Sequence, residues 1–153
     1  MARSTPALLR FVLAVALGLL IASCSAGGLA PGLTARLDHP GAAINRADAL
    51  AIINHYRASA GLGPLVADPS LDAAAQDAAQ QYAQSGQQPP KPAGTVDVRY
   101  SAGYVTFAEV FSGWRGSPAD AKALTAATAT RAGIGGFYTD NSPFGAYWAL
   151  VLG

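Results

Sequence analysis

Few side chains in this chain could take part in chemistry. The sequence holds two histidines, one cysteine and a single glutamate, Glu109. A hydrolytic metal site needs about three protein ligands and an open position, and nucleophilic catalysis needs a base beside a serine or cysteine. His39 stands alone in a Gly- and Pro-rich stretch, and His55 has no partner visible in the sequence. The pattern therefore predicts no catalytic residue, no metal site and no cofactor.

Two carboxylates, Glu109 and Asp120, are further candidates, and each has a structural explanation. Residues 106–109 fit a capping box, in which Thr106 accepts a hydrogen bond from a backbone N–H while Glu109 reaches back to the cap. Asp120 lies three residues after Ser117, where it would complete a cap and interact favourably with the helix dipole. The alternative is that these carboxylates line a cleft, where Asp120 and His55 together would supply at most two ligands.

The cysteine, Cys24, ends the sequence Ile-Ala-Ser-Cys. An aliphatic residue, two small residues and a cysteine form the lipobox at which bacterial lipoproteins are cleaved and acylated. The motif closes an apolar run, residues 11–22, that follows the positive charges of Arg3 and Arg10. This run is shorter than the roughly 20 residues that span a bilayer, which favours a signal segment over a transmembrane helix. The alternative is ordinary secretory cleavage beside an incidental cysteine.

These features divide the chain into a signal peptide (1–23), a lipid anchor with a flexible tether (24–44) and one folded domain (45–153). The tether segment is rich in Gly, Pro, Ala and Ser. Several acyl chains on Cys24 would hold the protein stably at a membrane. Ser25 stands where an aspartate would favour retention in the inner membrane, so we expect a bacterial cell-envelope protein at the outer membrane, facing the periplasm.

Charge excludes one class of partner. Without Arg3 and Arg10, eight basic side chains stand against nine acidic ones in residues 24–153. Nucleic-acid binding requires a clustered basic surface, so no nucleic-acid partner is expected. The length permits a single domain.

Periodicity predicts three helical regions and a C-terminal hairpin. Between residues 45 and 60, Leu50, Ile53 and Tyr56 recur at three-residue spacing, as on the buried face of a helix. The signals for the later elements are, in chain order, a helix capped by Asp68, an alternating strand over 96–100, a helix from Thr106 to Gly116, a helical turn from Ser117, and a hairpin of 130–139 with 145–152.

The last of these segments, 145–152, is apolar at odd-numbered and at even-numbered positions. This predicts a strand buried on both faces and a sheet covered by helices on two sides. The elements together predict an α+β fold, an α-β-α sandwich with a small antiparallel sheet of about three strands flanked by helices. The strands are too few and too late in the chain for a doubly wound parallel sheet.

Three groups of residues then carry a family resemblance. They are Ile53-Asn54-His55-Tyr56-Arg57 with Gly61-Leu62-Gly63-Pro64-Leu65; Ser101-Ala102-Gly103-Tyr104 with Phe111-Ser112-Gly113-Trp114-Arg115 and Ser117-Pro118; and Thr130-Arg131-Ala132-Gly133-Ile134 with Tyr147-Trp148-Ala149-Leu150-Val151-Leu152. In this order and spacing, from about Ala47 to Gly153, the chain resembles the CAP superfamily of cysteine-rich secretory and pathogenesis-related proteins. The resemblance implies the α-β-α sandwich of that family.

The chain departs from the family at its polar cavity. Members with the full site hold two histidines and two glutamates around a central cleft, a set linked to metal binding and to proposed hydrolysis. The resemblance places the family's glutamate on Val98 and one of its histidines on Asp120. Asp97 is not expected to replace the glutamate, because neighbouring strand residues point to opposite faces. The other histidine finds only a short loop at residues 87–90.

Three interpretations follow. A non-catalytic envelope module that binds a protein or ligand through the cleft is favoured, because the fold signature is intact while the polar set is missing. A hydrolase is the second, and a cluster of His55, Glu109 and Asp120 would support it. Three or more ionisable side chains converging in the cleft would overturn the preference for a non-catalytic module. A binder of lipid or another hydrophobic ligand is the third, and it would be supported by an apolar groove near Val98 and Tyr104.

Overall fold

The computed structural model of this protein describes residues 28–153, so the predicted signal peptide and Cys24 lie outside the described part. Over this range the chain forms a 3-10 turn at Pro31–Leu33, four α-helices and four β-strands. The helices are α1 (Arg46–Ser59), α2 (Pro69–Ser85), α3 (Phe107–Gly116) and α4 (Pro118–Leu124), and the strands are β1 (Val66–Ala67), β2 (Asp97–Ala102), β3 (Arg131–Tyr138) and β4 (Ala146–Leu152). No helix in residues 28–153 has the length and apolar character needed to cross a membrane.

The predicted helix starts are confirmed. Thr106 and Glu109 form both halves of a capping box at the start of α3, and Ser117 caps α4. Asp68 caps α2 by accepting hydrogen bonds from the hydroxyl and N–H of Ser70, and it also pairs with Arg131 across the sheet edge. These bonds, those from Ser70 foremost, lower the pKa of Asp68 to about 2.

The sheet has the strand order β1-β3-β4-β2. β4 pairs antiparallel with both β2 and β3, and β1 pairs parallel with β3. The predicted α-β-α sandwich is confirmed, but the predicted three-stranded antiparallel sheet is corrected to four strands in a mixed sheet. β1 is only two residues long, and two residues are too few to produce a recognisable alternation in the sequence.

Two apolar layers enclose the sheet. All seven residues of β4 are buried, as the apolar character at both parities predicted. Trp148, Leu150 and Leu152 point into the core beneath α1, α3 and α4, whereas Ala149 and Val151 point towards α2. The sheet therefore carries three helices on one face and α2 on the other.

Helix α2 lies unusually close to β3 because glycines face it. A Cβ atom at Gly133 would lie 1.9 Å from the carbonyl carbon of Leu71, and one at Gly135 would lie 2.2 Å from that of Ala75. Only a residue without a side chain permits such an approach.

Polar side chains occupy the edges of the sheet. Beyond the short β1, the N–H of Ile134 donates to Asp72 and its carbonyl accepts from Arg46, while both backbone groups of Gly136 bond to Gln76. On β2, the Val98 N–H donates to Asp97 Oδ1 (2.7 Å) and the Tyr100 carbonyl accepts from Trp114 Nε1 (3.1 Å). These bonds satisfy backbone groups that an edge strand would otherwise expose.

The predicted flexible tether, residues 24–44, is corrected in its second half. Leu33 and Leu37 are buried in the core, and the Leu37 N–H donates to the carbonyl of Val105. Ala30 also packs against this core. The surrounding Gly, Ala and Pro gave the segment a linker composition, which hid the two leucines that fix it to the domain.

One buried cation joins the helices to the loops. Arg57 of α1 is 2% exposed, and its guanidinium donates to the carbonyls of Gly63, Leu124, Ala126 and Ala129. Burial lowers its pKa from the ordinary value. A planar group with five N–H donors can satisfy several carbonyls at once, which a lysine ammonium cannot.

Candidate functional site

A polar hollow lies at the outer edge of β2, and we call it the β2-edge hollow. It has a volume of about 330 Å3 and is lined by Gln88, Pro89, Val98, Arg99, Tyr100 and Asp120. The strand supplies the middle of this lining, the loop after α2 supplies one side and the first turn of α4 the other. These are the strand and the helix start on which the sequence placed the family's missing glutamate and histidine.

An ion-pair network centred on Arg99 occupies this region. Its Nη1 lies 3.1 Å from Asp120 Oδ1 and its Nη2 lies 2.5 Å from Asp97 Oδ1. All three side chains are partly buried, with 24 to 31% of their surface exposed. Partial burial opposes the charge on Arg99, but the hydrogen bonds that the guanidinium donates to both aspartates outweigh it and raise the pKa of the guanidinium. The network therefore holds one positive and two negative charges.

Two polar side-chain atoms of neighbouring β2 residues are buried without a partner among the described residues. They are Nε of Arg99 and the hydroxyl of Tyr100. Burial also raises the pKa of the Tyr100 hydroxyl above its ordinary value, so this group stays protonated and able to donate. Buried polar atoms are paired in most proteins, so an unpaired donor at each of two neighbouring residues indicates unused hydrogen-bonding capacity.

The structure places Val98 and Tyr104 in different surroundings. Val98 borders the β2-edge hollow but is 8% exposed and packs in the core with Leu71, Ala75 and Val151. Tyr104 is 43% exposed and lies beside Gly113 of α3, and it is not among the residues that line the hollow. The two residues therefore do not form a common apolar groove at this hollow.

His55, Glu109 and Asp120 are also not brought together. Glu109 is exposed and uses its carboxylate on the N–H groups of Val105 and Thr106, which lowers its pKa. Exposed His55 lies instead between α1 and α3, in a depression of about 300 Å3 whose lining includes Phe111 and Arg115. Within residues 28–153, no three His, Cys, Asp or Glu side chains lie close enough together to hold a metal ion.

Sequence reasoning missed the central residue of the network, Arg99. It considered Asp97 only as a replacement for a glutamate at position 98 and read Asp120 as a cap or a lone carboxylate. Residues 97 and 99 lie two apart on a strand and so share a face, which was the available signal. Their approach to α4 depends on how that helix packs on the sheet, which local spacing does not show.

Comparisons with known proteins agree with this architecture. A sequence profile described as "CAP: Cysteine-rich secretory protein family" matches residues 50–152. An outer surface protein of Borrelia burgdorferi has a similar fold, with a TM-score of 0.57 and 18% identity over 68% of this chain and 87% of that chain. Among curated protein sequences, none matches this chain significantly.

Two further solved structures with a similar fold belong to longer proteins. An extracellular protein with an SCP domain from Bacillus anthracis gives a TM-score of 0.57 and 16% identity over 69% of this chain and 39% of that chain. A cysteine-rich secretory protein from Staphylococcus aureus gives a TM-score of 0.51 and 14% identity over 69% of this chain and 36% of that chain. At these identities the likeness shows the fold alone. With the profile match over residues 50–152, the chain belongs to the CAP, or cysteine-rich secretory protein, family.

Proposed function

We propose that this protein is a lipid-anchored CAP-domain protein of the bacterial cell envelope that binds a protein or ligand at the β2-edge hollow rather than catalysing a reaction there. The observation that carries the proposal is the pairing of Arg99 with both Asp97 and Asp120. Where the family resemblance expects a glutamate and a histidine, this chain has a core valine, Val98, and an aspartate already held in an ion pair.

Charge distribution supports binding over acid-base catalysis. A general acid must carry a proton near neutral pH, usually because its carboxyl group is buried away from cations. Here the group nearest to both aspartates is a guanidinium. The polar side chains that line the hollow, which include Gln88, Arg99 and Asp120, can instead exchange hydrogen bonds with a ligand without any proton transfer.

A quantitative pull-down from envelope membranes tests the binding role, with mass spectrometry of the captured proteins and lipids. We expect at least one species to be captured by the wild-type protein and lost with Asp120→Asn and with Arg99→Gln. Arg131→Gln is the matched control, since it also breaks an Arg–Asp pair but lies on β3, which β4 separates from β2. If both hollow variants capture the same species as the wild type, the β2-edge hollow is not the binding site.

A hydrolase is the second candidate, and one observation favours it. Arg99, Tyr100 and Asp120 line the hollow and Asp97 pairs with Arg99, which approaches the convergence of ionisable side chains that the sequence analysis named as evidence for an enzyme. Two carboxylates can divide the roles of acid and base. If purified protein releases fragments from isolated peptidoglycan, and Asp97→Asn and Asp120→Asn both abolish the release, the enzymatic candidate replaces the binding one.

The hydrophobic-ligand interpretation has less support. The hollow is lined mainly by polar groups, and Tyr104 lies outside it. A polar cavity favours a ligand that can exchange hydrogen bonds over one that is wholly apolar.

The anchor and its membrane are proposed from the lipobox at Cys24 and from the serine after it. The similar proteins include an outer surface protein and an extracellular protein, which fits a location outside the cytoplasm. Cys24→Ser tests the anchor: we expect loss of acylation and of membrane retention. Retention of a processed but unacylated Cys24→Ser protein would contradict the proposal, and the mass of the retained species distinguishes this from an uncleaved signal.

A further inference from the structure

The folded domain begins close to the proposed anchor. Ala30 packs against the core, the Gly32 N–H donates to Asp48 Oδ2 at 2.9 Å, and Leu33 is buried. Six residue steps separate Ala30 from Cys24. An extended chain covers at most about 3.6 Å per step, so Ala30 cannot move farther than roughly 22 Å from the acylated residue, whatever the conformation between them.

The chain enters the domain on one particular side of the sheet. Leu33 and Leu37 belong to the core shared by α1 and α3, and Arg36 forms a β-bridge with Thr106 at the start of α3. Helix α2 covers the opposite face of the sheet with its own cluster of buried residues. The entry point therefore lies in the layer of α1 and α3.

These two facts restrict how the domain can stand on a membrane. Packed layers are separated by about 10 Å, and a helix has an outer radius of about 5 Å, so α2 resting on the bilayer would lift the α1 layer to roughly 25 Å. Reaching that height would require the six steps from Cys24 to Ala30 to be almost fully extended, which costs conformational entropy. Orientations with the entry side towards the membrane need no such extension.

We propose that the outward surface of the N-terminal segment and of α1 and α3 lies against the phospholipid headgroups of the membrane that holds the anchor, while α2 and the proline-rich loop after it face away. This inference rests on the proposed acylation of Cys24. We call the first of these the membrane-facing surface; its residues include Leu29, Ala35, Arg36 and Arg115.

Two side chains of the membrane-facing surface, Leu29 and Arg115, suit this partner. Leu29 is 57% exposed and stands next to the tether, where an apolar side chain fits the boundary between headgroups and acyl chains. Arg115 is exposed and has no carboxylate partner within residues 28–153, whereas the exposed Arg36, Arg46 and Arg131 each have one. Its guanidinium lies 5.8 Å from the centre of the Phe111 ring and can pair with a lipid phosphate.

The single cysteine makes a clean test possible. In the acylated protein the thiol of Cys24 is consumed, so one introduced cysteine can be labelled specifically. Ala35→Cys places a fluorophore on the membrane-facing surface, and Ala73→Cys places it on α2; both positions are exposed alanines. The acylated proteins are reconstituted into phosphatidylethanolamine–phosphatidylglycerol vesicles that contain a headgroup-spin-labelled lipid as quencher.

We expect the label at position 35 to lose most of its fluorescence and the label at position 73 to keep it. Insertion of a long Gly/Ser segment between Gly27 and Gly28 should abolish the difference, because the domain then reorients freely. Equal quenching at the two positions with the native tether, or stronger quenching at position 73, would overturn the inference. Mass spectrometry of the same samples separates this failure from absence of acylation, which would instead remove the proposed anchor.

Discussion

Replacement of Arg57 by methionine tests whether one buried guanidinium fixes the loops around α1. Methionine keeps most of the volume of the side chain and removes all the donors. The bonds to the carbonyls of Leu124 and Ala129 are fully buried, so these two acceptors would lose their partner away from water. Each buried carbonyl left unpaired costs about 1 to 3 kcal/mol, or roughly 2 to 6 kcal/mol for both.

One effect opposes this loss. The guanidinium is itself buried without a carboxylate, and removing it returns the free energy spent on its dehydration. We therefore expect a net destabilisation of about 3 kcal/mol, a large part of the 5 to 15 kcal/mol typical of a domain. For a domain of this size the melting temperature should fall by roughly 10 °C. Arg57→Lys should lie between wild type and Arg57→Met, because an ammonium reaches fewer of the carbonyls.

Urea unfolding followed by circular dichroism measures the effect, with the midpoint and the slope compared between variants. Arg36→Met is the control, since Arg36 is exposed and paired only with Asp38 on the surface, and its midpoint should equal that of the wild type. If Arg57→Met unfolds within about 1 kcal/mol of the wild type, the carbonyl bonds do not hold the loops in place and the reasoning fails.

Three further substitutions test the packing and the charges. Val98→Glu should destabilise the fold by roughly 3 to 5 kcal/mol because it buries a carboxylate beneath α2. Val96→Glu, at an exposed position, is the control and should leave the stability unchanged. Equal midpoints of the two variants in urea would show that residue 98 faces water. Gly135→Ala should prevent α2 from packing against β3, and Gly63→Ala, with open space around it, is its control. A soluble Gly135→Ala protein that melts cooperatively would contradict the close approach of α2 to β3. Because the pKa of Asp68 is about 2 when folded and near 4 when unfolded, its carboxylate stabilises the protein above about pH 4 and loses this effect as the pH falls to 2. Asp68→Asn should flatten that part of the stability profile, and an unchanged acid limb would refute the assignment.

Most of the fold could be predicted because its signals are local. The capping box at Thr106 and Glu109 depends on a four-residue spacing, and the burial of β4 on both faces depends on apolar side chains at both parities. The parallel pairing of β1 with β3 was not visible, because a strand of two residues leaves no pattern. The burial of Leu33 and Leu37 was also hidden, because two leucines in a Gly- and Pro-rich segment acquire their core only from α1 and α3.

The candidate site was predictable in part. The resemblance located the relevant strand and helix start through Val98 and Asp120, and those elements do border one hollow. What the hollow contains was not predictable, because the ion pair between Arg99 and Asp120 joins residues 21 positions apart. It forms only after β2 and α4 have packed, so local spacing carries no sign of it.

The side chains that occupy the sheet edges also affect how neighbouring copies behave. With the proposed lipid anchor, copies in one membrane would collide repeatedly in two dimensions, at a high effective concentration. Exposed strand edges would then invite copies to join into shared intermolecular sheets, which is a route to aggregation. Because Asp72, Gln76 and Arg46 bond to one border of this sheet and Asp97 and Trp114 to the other, neither border offers an unbroken ladder. These bonds therefore disfavour the joining of neighbouring copies through the edges of the sheet.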